Sequence, residues 1–561
     1  MTAGALAETP DLHGAYPRLS DEQIARLAAR GERRRTQAGD VLYREGDPQC
    51  DFFVILEGTV AIIDGSLGHE EVLAVHGPGR FLGELNLLTG ESMFVSAVVS
   101  EPGEVLVVPI TSLRELIAED SALGDLILRA YLLRRSILIE LGAGMKIIGS
   151  RYSDDSRRLR EFAARNRIPH RWIDLEDDPT AEELLERLGI GPGETPIVVC
   201  PSQQILRNPS NADVARAIGL PAPALLAQPA LNDLVILGAG PAGLAAAVYG
   251  ASEGLATIVL DAVATGGQAG TSSRIENYLG FPSGISGAEL TERAVIQAEK
   301  FGAHFTLPAE ATALAQRDGH FVIHLGDVTV EGRAVLIATG ARYRRLDVPR
   351  LEVFERTSVY YAATLVEAQQ CRGDPVAVVG GGNSAGQAAL FLSTHVSQVH
   401  LLVREGDLAQ GMSRYLADRI QRAPNIDVML RTEVRELIGT DRLEAIVVEN
   451  NESHERDKVE ARALFVFIGA DPHVQWLQGQ LALDDHGFIL TGAATGAPQP
   501  CMSLETSCSG VFAAGDVRSG SIKRVASAVG EGAMAVRHVH EHLAATRGAS
   551  LTALASLASD L

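Results

Sequence analysis

The stretch DLVILGAGPAGLAAA, Asp233 to Ala247, decides the fold of this chain. A hydrophobic strand runs into the pattern Gly238-x-Gly240-x-x-Gly243, and an alanine-rich helix follows. The first glycine permits a tight turn, the second lets a pyrophosphate approach the backbone, and the third lets helix and strand pack closely. The next predicted strand ends at Asp261, about 20 residues on, where an acid accepts ribose hydroxyl groups. The stretch therefore predicts a Rossmann-like α/β domain that binds a dinucleotide.

A second glycine loop follows in PVAVVGGGNSAGQAALF, with Gly380, Gly382 and Ala385 in the same positions. Its next strand, VHLLVRE, ends in Arg404 instead of an acid. An arginine there suits a 2′-phosphate, so the pattern favours NADPH. The adjacent Glu405 can accept ribose hydroxyls instead, which keeps NADH as the alternative. Two such loops predict two nucleotides, normally FAD and NAD(P)H.

Length and charge narrow the possible functions. A chain of 561 residues predicts several domains, and its formal net charge of −22 argues against nucleic acid as a partner. The first residues lack a basic start followed by an apolar run, so no export signal is predicted. Glycines interrupt the most apolar region, Leu231 to Leu260, which is typical of a buried strand–helix–strand and not of a membrane span. We therefore expect a cytoplasmic protein without membrane or nucleic-acid partners.

Six motifs occur in a fixed order along the second half of the chain. They are ILGAGPAGLAAA, GGQ at Gly266 to Gln268, IENYLGFP from Ile275, IATGA from Ile337, VVGGGNSA, and GVFAAGD from Gly510. With these motifs the chain resembles the low-molecular-weight thioredoxin reductases over residues 230 to 545. The resemblance implies an FAD domain interrupted by an NADPH domain, and a homodimer.

The resemblance also assigns residues to the two nucleotides. It implies that Gly267, Gln268 and Asn277 approach the flavin ring and that Asp516 holds the ribityl chain. Arg524 and Val525 occupy the positions where the family has a glutamine and a small residue that touch the ring. The candidate FAD contacts are Gly238, Gly240, Pro241, Ala242, Gly243, Asp261, Gly267, Gln268, Asn277, Gly340, Gly515, Asp516, Arg524 and Val525. The candidate NAD(P)H contacts are Gly380, Gly382, Asn383, Ser384, Ala385, Arg404 and Arg414.

One departure from the family concerns its redox thiols. Where the family has Tyr-Cys-Ala-Thr-Cys-Asp, this chain reads YAATLV, Tyr361 to Val366. Neither Ala362 nor Leu365 can attack a disulfide or store electrons. Gln387 and Ala388 also replace two glutamates that the family usually carries near the nicotinamide. We therefore expect a small-molecule acceptor, such as a quinone, oxygen or an electron carrier, and we assign no catalytic residue and no metal site.

The five cysteines of the chain offer no replacement pair. They are scattered, and none belongs to a Cys-x-x-Cys motif: Cys50, Cys200, Cys371, Cys501 and Cys508. Without an export signal, reduced thiols with structural roles are the expectation.

A middle segment resembles the thioredoxin or glutaredoxin fold. MKIIGSRYSDDSRRLREFAARNRIPHRWIDL and TPIVVC predict alternating strands and helices, with Ser153 and Ser156 in the redox turn and Pro196 in the cis-proline position. Serine at its ordinary pKa forms no disulfide, so this segment cannot carry electrons by that route. A docking or spacer role is the expectation.

The front of the chain resembles cyclic-nucleotide-binding domains. Short β-branched strands with Gly-Asp turns predict a small antiparallel barrel. LGELNL supplies Gly83 and Glu84, whose carboxylate would accept a ribose 2′-hydroxyl. Met93 stands where the family has an arginine for the cyclic phosphate, and a lost charge-assisted pair costs about 1.5–3 kcal/mol. We expect weak binding of cAMP or cGMP, with another ligand or simple packing as the alternative.

The prediction is therefore a multidomain protein: a β-barrel, an α/β thioredoxin-like domain and two Rossmann-like α/β nucleotide-binding domains. The predicted boundaries are 1–142 for the cyclic-nucleotide-binding-like domain, 143–222 for a thioredoxin-like domain without cysteines, 223–232 for a linker, 233–345 and 473–545 for the FAD domain, 346–472 for the NAD(P)H domain, and 546–561 for a tail. The predicted function is that of an FAD-dependent NAD(P)H oxidoreductase with a non-dithiol acceptor. A ligand of the front domain could regulate this activity. The alternative is a non-catalytic flavin or nucleotide sensor.

Overall fold

The structure of this protein is a computed structural model. It describes residues 7–65, 70–89, 91–178, 181, 185, 189–220, 231–272, 274–355, 357–361, 363, 365–477, 479–496 and 502–559. The chain divides into two compact units, Met1–Ala222 and Pro223–Leu561. Most of the predicted linker, 223–230, lies outside the described residues. Among the described helices, none has the length and apolar character needed to cross a membrane.

The first unit begins with a five-stranded antiparallel sheet. Its strands are β1 Glu32–Thr36, β2 Val41–Tyr43, β3 Phe52–Asp64, β4 Glu71–His76 and β5 Ser96–Val108, in the order β1-β5-β3-β4 with β2 paired to β5. The accompanying helices are α1 Asp21–Ala28, α2 Asn86–Thr89, α3 Ile110–Glu119 and α4 Ser121–Leu141. Apolar side chains from β3 and β5 fill the core of this sheet, because inward and outward positions alternate along a strand. Gly142 ends α4 in the left-handed conformation, with φ 65°.

A four-stranded mixed sheet completes the first unit. Its elements are β6 Met145–Gly149, α5 Asp154–Arg165, β7 His170–Asp174, β8 Ile197–Val199, β9 Ile205–Arg207 and α6 Asn211–Ala217. The order is β7-β6-β8-β9, with only the β6–β7 pair parallel. The peptide bond between Thr195 and Pro196 is cis. Cys200 is buried in this segment, so the expectation of a domain without cysteines is wrong, although no cysteine stands at the predicted redox turn.

The two sheets of the first unit share part of a core. Phe94 is fully buried and packs in one cluster with Met145, Leu159 and Phe162 of the mixed sheet and its helix. The Ser92 N–H donates to the Ile218 carbonyl at 3.1 Å. Ser92 and Phe94 belong to the loop that is expected to form the nucleotide pocket of the first sheet. This loop is therefore bonded to, and packed against, the segment that contains the mixed sheet.

A seven-stranded sheet forms the frame of the second unit. Its strands are β10 Leu231–Leu237, β11 Thr257–Leu260, β12 His304–Thr306, β13 Ala313–Arg317, β14 His320–Leu325, β15 Val328–Ile337 and, near the end of the chain, β26 Val511–Ala513. The order is β12-β11-β10-β15-β14-β13, and β26 pairs in parallel with β15. The first helices of this unit are α7 Pro241–Ser252 and α8 Gly287–Lys300. The parallel pairing of β10 with β11 makes β10–α7–β11 the predicted crossover unit.

A second sheet is inserted into this frame. Its five parallel strands lie in the order β17-β24-β18-β19-β20, beside an antiparallel β21-β22-β23 sheet. The elements are β16 Ala341–Tyr343, α9 Leu351–Phe354, β17 Val359–Tyr360, α10 Leu365–Gln370, β18 Pro375–Val379, α11 Asn383–Leu392, β19 Gln398–Val403, α12 Arg414–Arg422, β20 Ile426–Leu430, β21 Thr432–Gly439, β22 Leu443–Asn450, β23 Arg456–Glu460, β24 Ala463–Val466 and β25 Ala470–Pro472. The final helix of the chain, α13 Val525–Ser559, follows β26 and packs against α7 of the seven-stranded sheet. The chain enters the insertion through β16 and leaves through β25, and these strands pair antiparallel.

Candidate nucleotide-binding site

The first glycine loop is fixed by two close contacts. Gly238 has φ +105°, and a Cβ added there would lie 2.3 Å from the Ala338 carbonyl oxygen. A Cβ at Gly243 would lie 1.9 Å from the Gly238 oxygen. Neither position has room for another residue, so the start of α7 is held directly against the ends of the central strands.

An open space lies above the start of α7. Gly240 caps the helix, Pro241 is its first residue, and a Cβ on Gly240 would meet only the Gly267 Cα, at 3.9 Å. Gly267 itself has φ +53°, a conformation that favours glycine. A helix N-terminus with free N–H groups and an open backbone in front suits a pyrophosphate.

Asp261 holds the loop in place. Its carboxylate accepts hydrogen bonds from the backbone N–H groups of Ala239, at 2.8 Å, and of Val263 and Ala264, both at 3.0 Å. The side chain therefore stabilises the backbone of the loop, a role that the sequence did not predict. Its contact with a ribose stays a prediction.

The predicted flavin-ring residues lie on segments that follow the loop. The Gln268 side chain donates to the Ala341 carbonyl, which ties the GGQ turn to β16. Gly340 has φ +66°, and a Cβ there would meet no atom within 4 Å. Asn277 is exposed, on a loop closed by pairing between Ile275 and Ile285. Gly340, which directly precedes β16, therefore leaves open space beside it.

Helix α13 closes the site from the other side. The Gly515 N–H donates to the Glu531 carboxylate at 2.7 Å, and Glu531 also pairs with Arg518. A Cβ at Gly515 would lie 3.1 Å from the Ala242 Cβ, so this turn packs on the first turn of α7. Burial raises the pKa of the Asp516 carboxyl above its ordinary value, while Lys523 opposes that rise.

Arg524 and Val525 mark the start of α13. Val525 is its first residue, and the exposed Arg524 precedes it. The resemblance assigned both residues to the flavin ring. Their contact with the ring stays a prediction. Glu531 was missed, since an acid on an alanine-rich helix carries no signal of the contact it makes.

The second glycine loop repeats the first. Gly380 has φ +142°, and a Cβ there would lie 2.4 Å from the Phe467 carbonyl oxygen. Gly382 caps α11, and Ala385 is fully buried beneath the loop. The Asn383 side chain accepts from the Ser413 N–H at 2.7 Å, while Ser384 is exposed. The same strand–loop–helix geometry therefore occurs twice in the second unit.

The charges after β19 differ in their placement. Arg404 is 72% exposed in its side chain, and its Nη2 lies 3.4 Å from Glu405 Oε1. Glu405 Oε2 lies 2.8 Å from the point that a Cβ on Gly381 would occupy. Arg414 is exposed at the first position of α12. Glu405 is therefore placed on the loop.

Side chains connect the inserted sheet with the first one. Arg419 of α12 forms an ion pair with Glu276 at 2.5 Å, and Glu276 belongs to the IENYLGFP loop. Burial raises the pKa of the nearby Tyr415 phenol, and the Gln387 side chain opposes that rise. Gln387, one of the residues that depart from the family pattern, therefore lies at this junction.

The predicted pocket in the first unit has a buried carboxyl. Glu84 is 2% exposed, and one of its oxygens accepts from the Phe94 N–H at 3.1 Å. Burial raises the pKa of Glu84 to about 7, opposed by the Arg135 guanidinium. Gly83 lies beside Leu87 and Tyr131, and its φ is +96°. Met93 is 1% exposed and belongs to the core of the sheet.

Two arginines of α4 form hydrogen bonds with the segments around this pocket. Arg134 is buried and donates to the carbonyl groups of Ala15, Phe81 and Gly83. Arg135 binds the side chains of Asn86 and Glu91. Both guanidinium groups are therefore engaged within the protein. The sequence did indicate that Arg134 is buried, because it lies at helical spacing from Ile127, Tyr131 and Leu138, on the buried face of α4.

Comparison with known proteins identifies the second unit. The pyridine nucleotide-disulphide oxidoreductase family profile matches residues 232–532. The chain belongs to this family. The cyclic nucleotide-binding domain profile matches residues 33–120.

Several relatives carry the name thioredoxin reductase. NADPH-dependent thioredoxin reductase 3 of Arabidopsis thaliana is 34% identical over 320 residues, which are 56% of this chain and 58% of that protein. A 34.2 kDa protein in the rubredoxin operon of Clostridium pasteurianum is 33% identical over 311 residues, 55% of this chain and 97% of that protein. The crystal structure of Lactococcus lactis thioredoxin reductase in its FR conformation has a TM-score of 0.52 and 27% identity, covering 56% of this chain and 99% of that one. The second unit is thus thioredoxin reductase-like, from a family of FAD and NAD(P)H flavoproteins.

The residues present fit the FAD that this family implies. Gly240 and Gly267 leave the backbone accessible, Gly340 faces open space, and Asp516 lies at the end of the same sheet. Gly240 and Pro241 would face the pyrophosphate, and Asp516 the ribityl chain. When bound, the flavin would supply two-electron redox chemistry, and these residues would hold and orient it.

The thiol chemistry of the family has no counterpart among the described residues. Ala362 and Thr364 lie outside them, and Ala363 is buried in the core of the inserted sheet. Burial raises the pKa of Cys50, Cys200 and Cys371 to about 12, and also raises the pKa of Cys508. A thiol with a raised pKa is a poor nucleophile at neutral pH. Cys501 lies outside the described residues.

Proposed function

We propose that this protein is an FAD-dependent NAD(P)H oxidoreductase that passes electrons to an acceptor other than a protein dithiol. When bound, FAD and the nicotinamide nucleotide would supply two-electron redox chemistry for an acceptor such as a quinone, oxygen or an electron carrier, and the Gly238 and Gly380 loops would hold the two nucleotides. The sequence favours NADPH through Arg404, with NADH as the alternative through Glu405.

The observation that carries this proposal is the repeated glycine loop. Gly238 and Gly380 both adopt a positive φ, and a Cβ at either would overlap a carbonyl of a neighbouring strand. Strand packing explains these two glycines, whereas Gly240 and Gly382 leave the backbone open where packing does not require it, since a Cβ at either would meet no atom closer than 3.9 Å. Two intact loops support two nucleotides and an electron transfer between them.

The non-dithiol acceptor is supported by the sequence and by the cysteines. Tyr361 to Val366 contains no thiol. Of the described cysteines, Cys200 and Cys371 are buried and Cys50 and Cys508 are partly buried, and the pKa of each is raised. Disulfide reduction needs a thiolate that attacks one sulfur and is later released. Small planar acceptors need only access to the flavin.

The proposal has a direct test in anaerobic mixing of the FAD-loaded protein with NADPH and with NADH. Loss of the flavin absorbance within seconds supports an oxidoreductase. Absorbance that stays unchanged with both nucleotides contradicts it. Heat-released supernatant from protein reconstituted with FAD should fluoresce as FAD, and its absence would also contradict the proposal.

A sensor without turnover is the second candidate. Gln387 and Ala388 replace the glutamates expected near the nicotinamide, and Gln387 lies beside Tyr415 at the junction of the two sheets. In this case the flavin would be bound but not reduced by either nucleotide. The same mixing experiment separates the two functions.

The first unit is proposed to be regulatory. We propose that residues 1–142 form a barrel and that residues 143–222 form a thioredoxin-like docking domain. A ligand of the barrel would act on the docking domain through Phe94, which packs in the core of that domain. Support for the thioredoxin-like assignment comes from the strand order β7-β6-β8-β9 and the cis bond before Pro196. A cytoplasmic homodimer is the proposed form of the protein.

A further inference from the structure

We propose that Glu405 selects the nicotinamide nucleotide of this protein and that the selected nucleotide is NADH. The proposal rests on the proposed function, because it concerns the second nucleotide site. It differs from the choice that Arg404 alone suggests.

The first step is the position of the Glu405 carboxylate. Glu405 Oε2 lies 2.8 Å from the point that a Cβ on Gly381 would occupy, and Gly381 is the middle residue of the Gly-x-Gly turn. The carboxylate therefore covers the loop on which a dinucleotide lies. A side chain at position 381 would displace the carboxylate from this place.

The second step is the position of Arg404. Both residues follow the end of β19 at Val403, and Glu405 is the one whose carboxylate lies against Gly381. The Arg404 side chain is 72% exposed, whereas that of Glu405 is 35% exposed. Among the described residues, the ion pair of Arg404 is a long one, to Glu405 Oε1 at 3.4 Å. The loop-facing charge is negative.

The third step is a comparison of the two loops. In the first loop Asp261 Oδ2 accepts from the N–H of Ala239, the middle residue of its own Gly-x-Gly turn. In the second loop Glu405 lies against Gly381, which holds the equivalent position. The adenosine ribose of FAD carries a free 2′-hydroxyl. A second loop that also has an acid beside the middle residue of its turn suits a second nucleotide with a free 2′-hydroxyl, which is NADH.

The surroundings offset this negative charge only weakly, because the ion pair with Arg404 is long, at 3.4 Å, and the arginine side chain is largely exposed. The Arg431 guanidinium lies beside Gly406, where a Cβ would be 3.1 Å from its Nε, but it is already paired with Glu452. A 2′-phosphate placed here would meet the Glu405 carboxylate, and two negative charges repel. A ribose diol would instead donate to that carboxylate, a hydrogen bond strengthened by the charge.

Binding of NAD⁺ and NADP⁺ to the FAD-loaded full chain tests this proposal by calorimetry. The variants are Glu405→Gln and Arg404→Ala, and Glu460→Gln is the matched control, since Glu460 is an exposed acid of the same inserted domain. The parent should bind NAD⁺ at least about tenfold more tightly than NADP⁺. Glu405→Gln should reduce that ratio by about tenfold or more. Glu460→Gln and Arg404→Ala should leave the ratio within about threefold of the parent.

The contrary results are equally clear. A parent that binds NADP⁺ more tightly, with a preference lost in Arg404→Ala and kept in Glu405→Gln, would overturn the proposal. Selective NAD⁺ binding without any reduction of the flavin by NADH would leave this proposal standing and contradict the oxidoreductase function. The two failures are therefore distinguishable.

Discussion

The Sγ atom of Cys50 lies 3.8 Å from the Sδ atom of Met93, and both side chains pack in the core of the N-terminal sheet. Met93 therefore fills the interior at the position where the resembling family has a cation for a cyclic phosphate. The nearby cations are occupied, because Arg134 binds three carbonyl groups and Arg80 is paired with Glu8.

We therefore predict that calorimetry detects no tight binding of cAMP or cGMP. Met93→Arg should lower stability instead of creating a site, since the new cation would be buried without a partner. Met93→Leu is the control and should fold like the parent. A dissociation constant for cAMP in the low micromolar range in the parent, or strong binding gained by a stable Met93→Arg protein, would show that the interior can open.

Glu84 gives the first unit a dependence on pH. Burial raises the pKa of Glu84 from its ordinary value of 4.5 to about 7, so the folded state holds this proton more tightly than the unfolded state. The free energy of unfolding should fall as the pH rises from the unfolded value to about 7, and then level off. Glu84→Gln should reduce this slope without abolishing it, because Glu45, whose pKa burial also raises to about 7, would still contribute to it, and should stabilise the first unit at about pH 8 by on the order of 1–3 kcal/mol.

Urea unfolding followed by the fluorescence of Trp172, in a Trp476→Phe background, reports on the first unit, because the chain has 2 tryptophans. Replacement of the exposed Glu101 by glutamine should leave the pH slope unchanged. A Glu84→Gln protein with the same slope as the parent would mean that another group titrates.

The contact between α13 and α7 should control flavin retention. A Cβ at Gly532 would lie 2.1 Å from the Ala242 carbonyl oxygen, whereas a Cβ at Gly530 would meet nothing within 4 Å. Gly532→Ala should therefore push α13 away and weaken FAD binding by about tenfold. Gly530→Ala, two positions away on the same helix, should bind FAD normally. FAD content measured by absorbance after gel filtration checks both, and equal content would contradict the packing argument.

The sequence predicted both nucleotide loops because Gly238, Gly243 and Gly380 each meet a strict steric demand, such as the contact between Gly243 and Gly238. Such demands leave a mark on residue type. The different placement of Arg404 and Glu405 left no such mark, because both residues follow the end of β19, where no strand periodicity fixes which side chain lies against the loop. The role of Glu531 was equally hidden, since it depends on how α13 packs.

The thiols should be unreactive in the folded protein. Burial raises the pKa of Cys371 to about 12, and the thiolate is the reactive form. Reaction of the native protein with dithionitrobenzoate at about pH 8 should be on the order of a hundredfold slower than that of glutathione. Denatured protein should release the full complement of 5 thiols. A rapidly reacting thiol that disappears in Cys501→Ser would identify an outlet outside the described residues.

The most direct test of the central claim is nicotinamide nucleotide consumption with thioredoxin and then with a quinone. The assay uses the FAD-loaded parent and a variant with all 5 cysteines changed to serine. The account predicts quinone reduction at similar rates in both proteins and no thioredoxin reduction in either. Strong thioredoxin turnover in the parent that is lost in the serine variant would contradict it, because a cysteine would then be the electron outlet.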